Sequence, residues 1–253
     1  MSPPPPGAWI EDMTWPEVAE RLAADDTIVL VPIGARAKEH GAHLPMQTDY
    51  LLARALCDGV AARLPVLIAP VVDFGYYPAF RHYPGSQHLR PQTFAALLTD
   101  VLDGLIAQGA RRIAVINTGV STEAPITTLV RETYERTGRR VPVAHIRALG
   151  RGVAHLFEQK LGGHADEHET SLMLAIAPER VRLDRAQRDY GAGPDLPETV
   201  FYLPTIFRDA PGDPDHSATG ARGDPTLATA EKGRIALDAT IAELVAGIEA
   251  LRW

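Results

Sequence analysis

Four short, β-branched apolar runs, at residues 27–33, 66–72, 112–117 and 141–146, alternate with stretches whose apolar residues recur at helical spacing. No other feature of this chain restricts its fold as much. A helix between two strands returns the chain to the same direction, so the strands pair in parallel. Parallel strands that are apolar throughout need cover on both faces. The alternation therefore predicts an α/β fold, with a mostly parallel central sheet and helices on either side. At 253 residues the chain is long enough for one large core, and no internal repeat or composition break divides it, so residues 1–253 read as a single domain. Residues 1–8, rich in proline, are expected to form a tail.

Helix signals fill the gaps. Thr14 is placed as a cap, with Pro16 and Glu17 behind it, for a helix running to about residue 23. The spacing of Leu51, Leu52, Leu56 and Val60 marks a second helix over 49–63. Further helices are expected over 91–108, 124–137 and 166–177, and from Asp224 and Pro225 to residue 251. The apolar run 200–206 fits either an edge strand or a loop against a neighbour. Residues 74–90 combine aromatic side chains with Pro, Gly and His, the makeup of an ordered functional loop more than of a linker.

A net charge of −7, without basic clusters and with few aromatics, argues against a nucleic-acid groove or an anionic membrane surface. No apolar run is long enough to span a bilayer, and MSPPPPG lacks the basic and apolar regions of a signal peptide. The single cysteine, Cys57, has no internal disulfide partner and falls in a helical apolar pattern that suits a small core residue. The expectation is a cytoplasmic protein acting on a small molecule, with no nucleic-acid or membrane partner.

Polar chemistry gathers where the first long strand ends. Gly34 opens a loop that carries Lys38, Glu39, His40, His43 and Asp49 into the next helix. Ligands of open α/β sheets bind at that carboxyl edge. Imidazole with carboxylate is also a donor set for zinc, manganese or iron. A loop that merely caps a helix has the same polarity. A second cluster, GHADEHETSLML over 163–174, sets His164 and Glu169 at a helix start, from which both can reach one site. Its acids Asp166, Glu167 and Glu169 equally suit the positive end of the helix dipole.

Taken together, the two clusters resemble the creatininase family of metal-dependent amidohydrolases. The family's strand-end motif has the form GSxEQHGPHLPxxTD, and a later helix opens with HxGExETS; this chain reads GARAKEHGAHLPMQTD and HADEHETS. Tyr83, Pro84 and Gly85 before a helix, the turn at Asn117 and GDPTLATAEKG over 223–233 extend the similarity along most of the chain. The resemblance implies a three-layer α/β/α sandwich, a homo-oligomer of hexameric type, and a hydrolase. Members act on cyclic amides, formamides, peptides and cyclic sugar-derived ketones. By the same resemblance the family's metal-binding His falls on His40, its bridging Asp on Asp49, its helix-start His on His164 and its ETS glutamate on Glu169.

Two positions depart from the family pattern. Lys38 stands where the family has its first metal-binding Glu, with Glu39 at the following Gln position and one residue inserted upstream. Gly119, in NTGVST, stands where the family's NGHGGN turn has a metal-binding His. Both missing ligands belong largely to one half of a two-metal site. One ion held by His40, Asp49 and Glu169 accounts for the change, as does a Glu39 that swings in, or a Lys38 ammonium in place of the cation. One ion, zinc or manganese with iron as a third option, is favoured over two.

The expected reaction is hydrolytic opening of a small cyclic amide or related carbonyl compound by a metal-activated water. His164 is the candidate general acid and base, and Lys38 the candidate holder of an oxyanion or substrate carboxylate. Glu39, His40, Asp49 and Glu169 are the candidate metal ligands. Tyr76, Tyr77, Phe80 and Tyr83 fit either a wall over the substrate or a packed subunit contact. His43 fits an orienting role behind the ligands or a loop cap, while His145 and His155 are expected to be structural. Two rivals stand beside this reading: a metal-independent hydrolase using Lys38, and a catalytically silent member that binds a ligand or scaffolds an assembly.

Overall fold

A computed structural model describes residues 6–190, 211 and 216–253. Among them five strands, β1 (Ala8–Trp9), β2 (Ile28–Ile33), β3 (Leu67–Ile68), β4 (Arg112–Asn117) and β5 (Val143–His145), form one sheet in the order β1-β3-β2-β4-β5. Every pairing is parallel. The helices are α1 (Trp15–Ala23), α2 (Thr48–Ala61), α3 (Pro91–Ala107), α4 (Glu123–Thr137), α5 (Glu167–Ile176) and α6 (Ala230–Ala250).

Side chains alternate along a strand, so β2 feeds two separate cores. Val29, Val31 and Ile33 face Phe94, Leu98 and Leu102 of α3 and Ile126 and Leu129 of α4. Leu30 instead packs, with Ile68 and Ile116, against Leu56 and Val60 of α2 and Ile241 and Leu244 of α6. The fold is thus the expected three-layer α/β/α sandwich. Cys57 is fully buried in the second core.

The chain leaves β2 for α2 on one face and β4 for α4 on the other. Neighbouring strands whose exits diverge leave a crevice at their carboxyl ends, the usual ligand site of open α/β sheets. β2 and β4 pair over their full length, from Ile28 opposite Arg112 to Ile33 opposite Asn117. The crevice therefore opens where the Lys38–Asp49 loop begins.

Most boundaries lie within a residue or two of the sequence reading, and the exceptions have local causes. The run 66–72 forms a ladder only at Leu67–Ile68, because Pro70 has no N–H to give; a single bridge from Val72 to Ile33 follows it. Asp224 caps one 3-10 turn, Pro225–Leu227, and Thr229 then caps α6 by accepting from Lys232 N at 3.2 Å. Gly7 and Ala8, expected in the tail, are tied to Ala61 and Val66 by main-chain hydrogen bonds of 2.9 and 3.0 Å. The run 200–206 lies outside the described residues. No described helix is long and apolar enough to cross a membrane.

Candidate active site

Gly34 lets the loop after β2 pass close beneath α2, since a Cβ there would sit 2.4 Å from Asp49 O. Lys38 N donates to Met46 O at 3.1 Å and Tyr50 N to Ala35 O at 3.2 Å, which closes the loop on itself and delivers Asp49 in the first turn of α2. From β4, the Thr118 hydroxyl lies 3.1 Å from Ile33 O and 2.9 Å from Asp49 O. The ends of β2, β4 and α2 are therefore locked together.

Asp49 sits between two nitrogens. Lys38 Nζ is 2.8 Å from Oδ2 and His40 Nε2 is 3.0 Å from Oδ1, with the Lys38 and Asp49 side chains only 8% and 2% exposed. Burial by itself raises the Asp49 carboxyl, but the neighbouring Lys38 and His40 more than reverse this and hold it well below the usual carboxylate range.

Proton counting at the two imidazoles is informative. His40 Nδ1 lies 3.0 Å from the Lys38 carbonyl oxygen, which can only accept, so Nδ1 carries a proton and Nε2 is the nitrogen facing Asp49. His164 Nε2 lies 3.0 Å from the Glu39 carbonyl and 3.1 Å from its carboxylate, so it too is the N–H end. His164 Nδ1 then faces Glu169 Oε2 at 3.8 Å. In neutral rings, both inward nitrogens turn lone pairs towards carboxylates, and only protons or a cation can reconcile such an arrangement. His40, His164 and Glu169 each offer one ligand atom, all within 4.8 Å of one another. Imidazoles held at their outer N–H, with a carboxylate alongside, fit a divalent ion.

Glu39, expected among the metal ligands, faces the Nε2 side of His164. Its carboxylate takes the His164 Nε2–H and the Gly41 N–H, and Gly220 makes room for it, since a Cβ there would meet Oε1 at 2.0 Å. The acids of α5 also divide their roles. Asp166 caps the helix by accepting from Glu169 N at 3.0 Å, and the buried Glu167 accepts from Glu158 N and Gln159 N and pairs with Lys232 at 2.6 Å. Only Glu169 of the three faces the His40–His164 pair. Its carboxyl is pushed up to about 6 by burial. Ala165, in the left-handed region at φ 45°, sends its N–H back to Glu169 Oε2 at 2.5 Å. His43 Nε2 reaches Thr170 Oγ1 at 2.8 Å, which ties the β2 loop to α5.

Of these groups Lys38, His164 and Glu169 line a cavity of about 580 Å³. Phe80 roofs it, with its ring 4.4 Å from that of His164 and 5.0 Å from Lys38 Nζ, and Tyr76 lines the same space. Tyr77 is instead buried beneath the loop, its hydroxyl between the Ala37 and Gln87 carbonyls, and Tyr83 donates to Ser217 O at 2.7 Å. The same cavity is lined by Glu123, His145 and Arg147, with Arg147 Nε 4.0 Å from Glu123 Oε1. His145, expected to be structural, lines the cavity through its ring while its Nδ1 meets Asn117 Nδ2 at 3.0 Å. Glu123 and Arg147 carried no motif in the sequence; their one signal is position, just beyond the carboxyl ends of β4 and β5. His155 is exposed.

A parallel α/β sandwich with buried Lys38, His40, Asp49 and His164 and a half-buried Glu169 gathered at its strand ends has the architecture of an enzyme. The chain belongs to the creatininase family, whose model, described as creatinine amidohydrolase, matches residues 11–248. It is 28% identical to the creatinine amidohydrolase of Pseudomonas putida over 92% of this chain and 93% of that one. It is 29% identical to the mycofactocin precursor peptide peptidase of Mycobacterium tuberculosis, over 93% of this chain and 89% of that one. Among solved structures, a mutant creatininase of Zn–Zn type superposes with a TM-score of 0.80 at 27% identity, covering 95% of this chain and 96% of that one. A manganese creatininase gives 0.78 at 27% identity, over 96% and 98%.

Proposed function

We propose that this chain is a hydrolase that opens a small cyclic amide in the cavity beneath Phe80, using one divalent ion. The observation that carries the reading is the pair of imidazoles, each held at its outer nitrogen and each turned inward to a carboxylate. An ion held by His40 and Glu169, with Asp49 Oδ1 beside His40, would supply Lewis acidity at the carbonyl and acidify an attacking water.

The chain's own groups do the rest. Lys38, fixed on Asp49 and lining the cavity, has further N–H groups to hold the oxygen that becomes negative as the carbonyl is attacked. His164 is the proton carrier: with Nε2–H held by Glu39, the basic nitrogen is Nδ1, which takes the proton of the water and returns it to the departing nitrogen. Phe80 covers both groups and keeps bulk water from them.

A second reading makes His164 a third ligand, and its inclusion with His40 and Glu169 inside 4.8 Å favours it. One experiment addresses both. The protein is loaded with Zn²⁺ or Mn²⁺, desalted, and assayed against a panel of lactams and cyclic ureides. Turnover is expected on at least one, falling on the order of 10²-fold or more in His164→Ala and Glu169→Ala. An ion-loaded protein inert on the whole panel contradicts the hydrolase reading. Retention of the ion by His164→Ala assigns proton transfer, and its loss assigns ligation.

A further inference from the structure

We infer that the Lys38 ammonium is a permanent replacement for one metal ion, so that this site is half ion and half lysine. The inference rests on the one-ion reading above, and it concerns the Oδ2 side of Asp49.

The donors around Asp49 are distributed unevenly. On the Oδ1 side stand His40, and beyond it His164 and Glu169, the imidazole and carboxylate groups that bind divalent ions. Lys38 and Asp49 also line a narrow cleft with Gly34, Gly119, Ser121 and Thr122 among others, and Asp49 is the only carboxylate of its described lining. Its described lining includes no imidazole and no thiol. An ion placed there would have one strong ligand.

The ammonium already occupies that place. Lys38 Nζ sits 2.8 Å from Oδ2. A zinc ion on the same oxygen would lie about 2.0–2.2 Å from it, which puts it against an ammonium within roughly a single atomic contact, with little water to screen the repulsion. Lys38 has little freedom to withdraw: its main-chain N–H is bound to Met46 O, its ammonium lies over the Phe80 ring and its side chain is 8% exposed.

The exchange preserves what a cation does for the site. It neutralises a buried carboxylate, holds the end of α2 against the loop, and presents positive charge to the cavity. It differs in one respect, because a side chain cannot be stripped by a chelator or replaced by another metal. The two departures from the family motif, Lys38 and Gly119, line the same cleft and therefore read as one change.

The test restores the missing donors and counts ions by elemental analysis after loading and desalting. Lys38→Glu/Gly119→His is expected to bind one equivalent of Zn²⁺ or Mn²⁺ more per chain than the wild type. Thr122 Oγ1, which a Cβ at Gly119 would meet at 2.8 Å, must leave Asn117 Oδ1 and Gly119 O to make room. A folded double variant with no increment overturns the inference, and so does a wild type that binds two equivalents. Where the double variant fails to fold, Lys38→Glu alone sets a second carboxylate against Asp49; its Tm is then expected to rise with added Zn²⁺ by more than that of the wild type. An equal rise overturns the inference. The increment reports on Lys38, while a wild type that binds no ion counts against the one-ion reading instead.

Discussion

Lys38 Nζ lies 2.8 Å from Asp49 Oδ2, and the two side chains are 8% and 2% exposed. Removing one member of so buried a pair leaves the other charge without compensation, at a cost of about 3–5 kcal/mol. Lys38→Met is therefore expected to destabilise the ion-free protein by that amount at pH 7, read as a shift in the urea midpoint. Lys38→Met/Asp49→Asn is expected to recover part of the loss, since the stranded charge is then gone. A loss below about 1 kcal/mol in the single variant would show that the pair is not a structural element.

His43 and Glu169 give the stability profile opposite slopes in overlapping pH windows. Burial pushes the His43 imidazole down to about 4 from 6.5, so on acidification the unfolded chain takes up its proton first. The contribution of His43 is complete above pH 6.5 and is lost progressively as the pH falls to about 4. Glu169, raised to about 6 from 4.5, acts in the other sense: the folded state holds its proton longer, so stability declines as the pH rises through that interval. The Asp49 contribution, from a lowered carboxyl, is present above pH 3.8 and disappears only below it. The difference between wild type and His43→Gln isolates the first term. The wild type is expected to lose roughly 1–3 kcal/mol more than the variant between pH 6.5 and 4. Parallel profiles would contradict the assignment.

Glu39→Gln tests the grip on His164. The amide's single oxygen can still accept from Nε2–H, with its NH2 then turned to the Gly41 N–H, but it no longer stabilises a charged ring, and losses of such supporting partners cost about 10–100-fold. The expected outcome is a fall in kcat of that size, with KM little changed and the acid limb of the kcat profile displaced to lower pH. An unchanged profile would remove Glu39 from the proton path.

The sequence already placed His40, Asp49, His164 and Glu169 in one site, because short polar motifs at a strand end and a helix start leave few places for those side chains to go. The parallel sheet and the order of elements were legible for a similar reason, since each unit declares its period locally. Spacing left open whether Glu39 swings towards the ion, and the loop turns its carboxylate to the Nε2 side of His164, a direction that only the packed loop sets. Glu123, His145 and Arg147 come together at the cavity through strand order, a long-range property that spacing along the chain does not carry.

Close approach of α6 to α5 depends on Gly233. A Cβ at that position would lie 1.7 Å from Ser171 O and 2.3 Å from Ser171 C, both main-chain atoms of the helix that carries Glu169. Gly233→Ala is expected to destabilise the protein by about 3 kcal/mol or more, although alanine favours the helix itself. Because α5 must move, activity is expected to fall with stability. A variant as stable as wild type would show that the two helices separate more easily than their packing indicates.

The most direct test of the half-ion, half-lysine site is the anomalous scattering of a Zn²⁺-loaded or Mn²⁺-loaded crystal. One peak is predicted, beside His40 and Glu169, with Lys38 still on Asp49. Two peaks, or a single peak on Asp49 Oδ2 with Lys38 displaced, would contradict it.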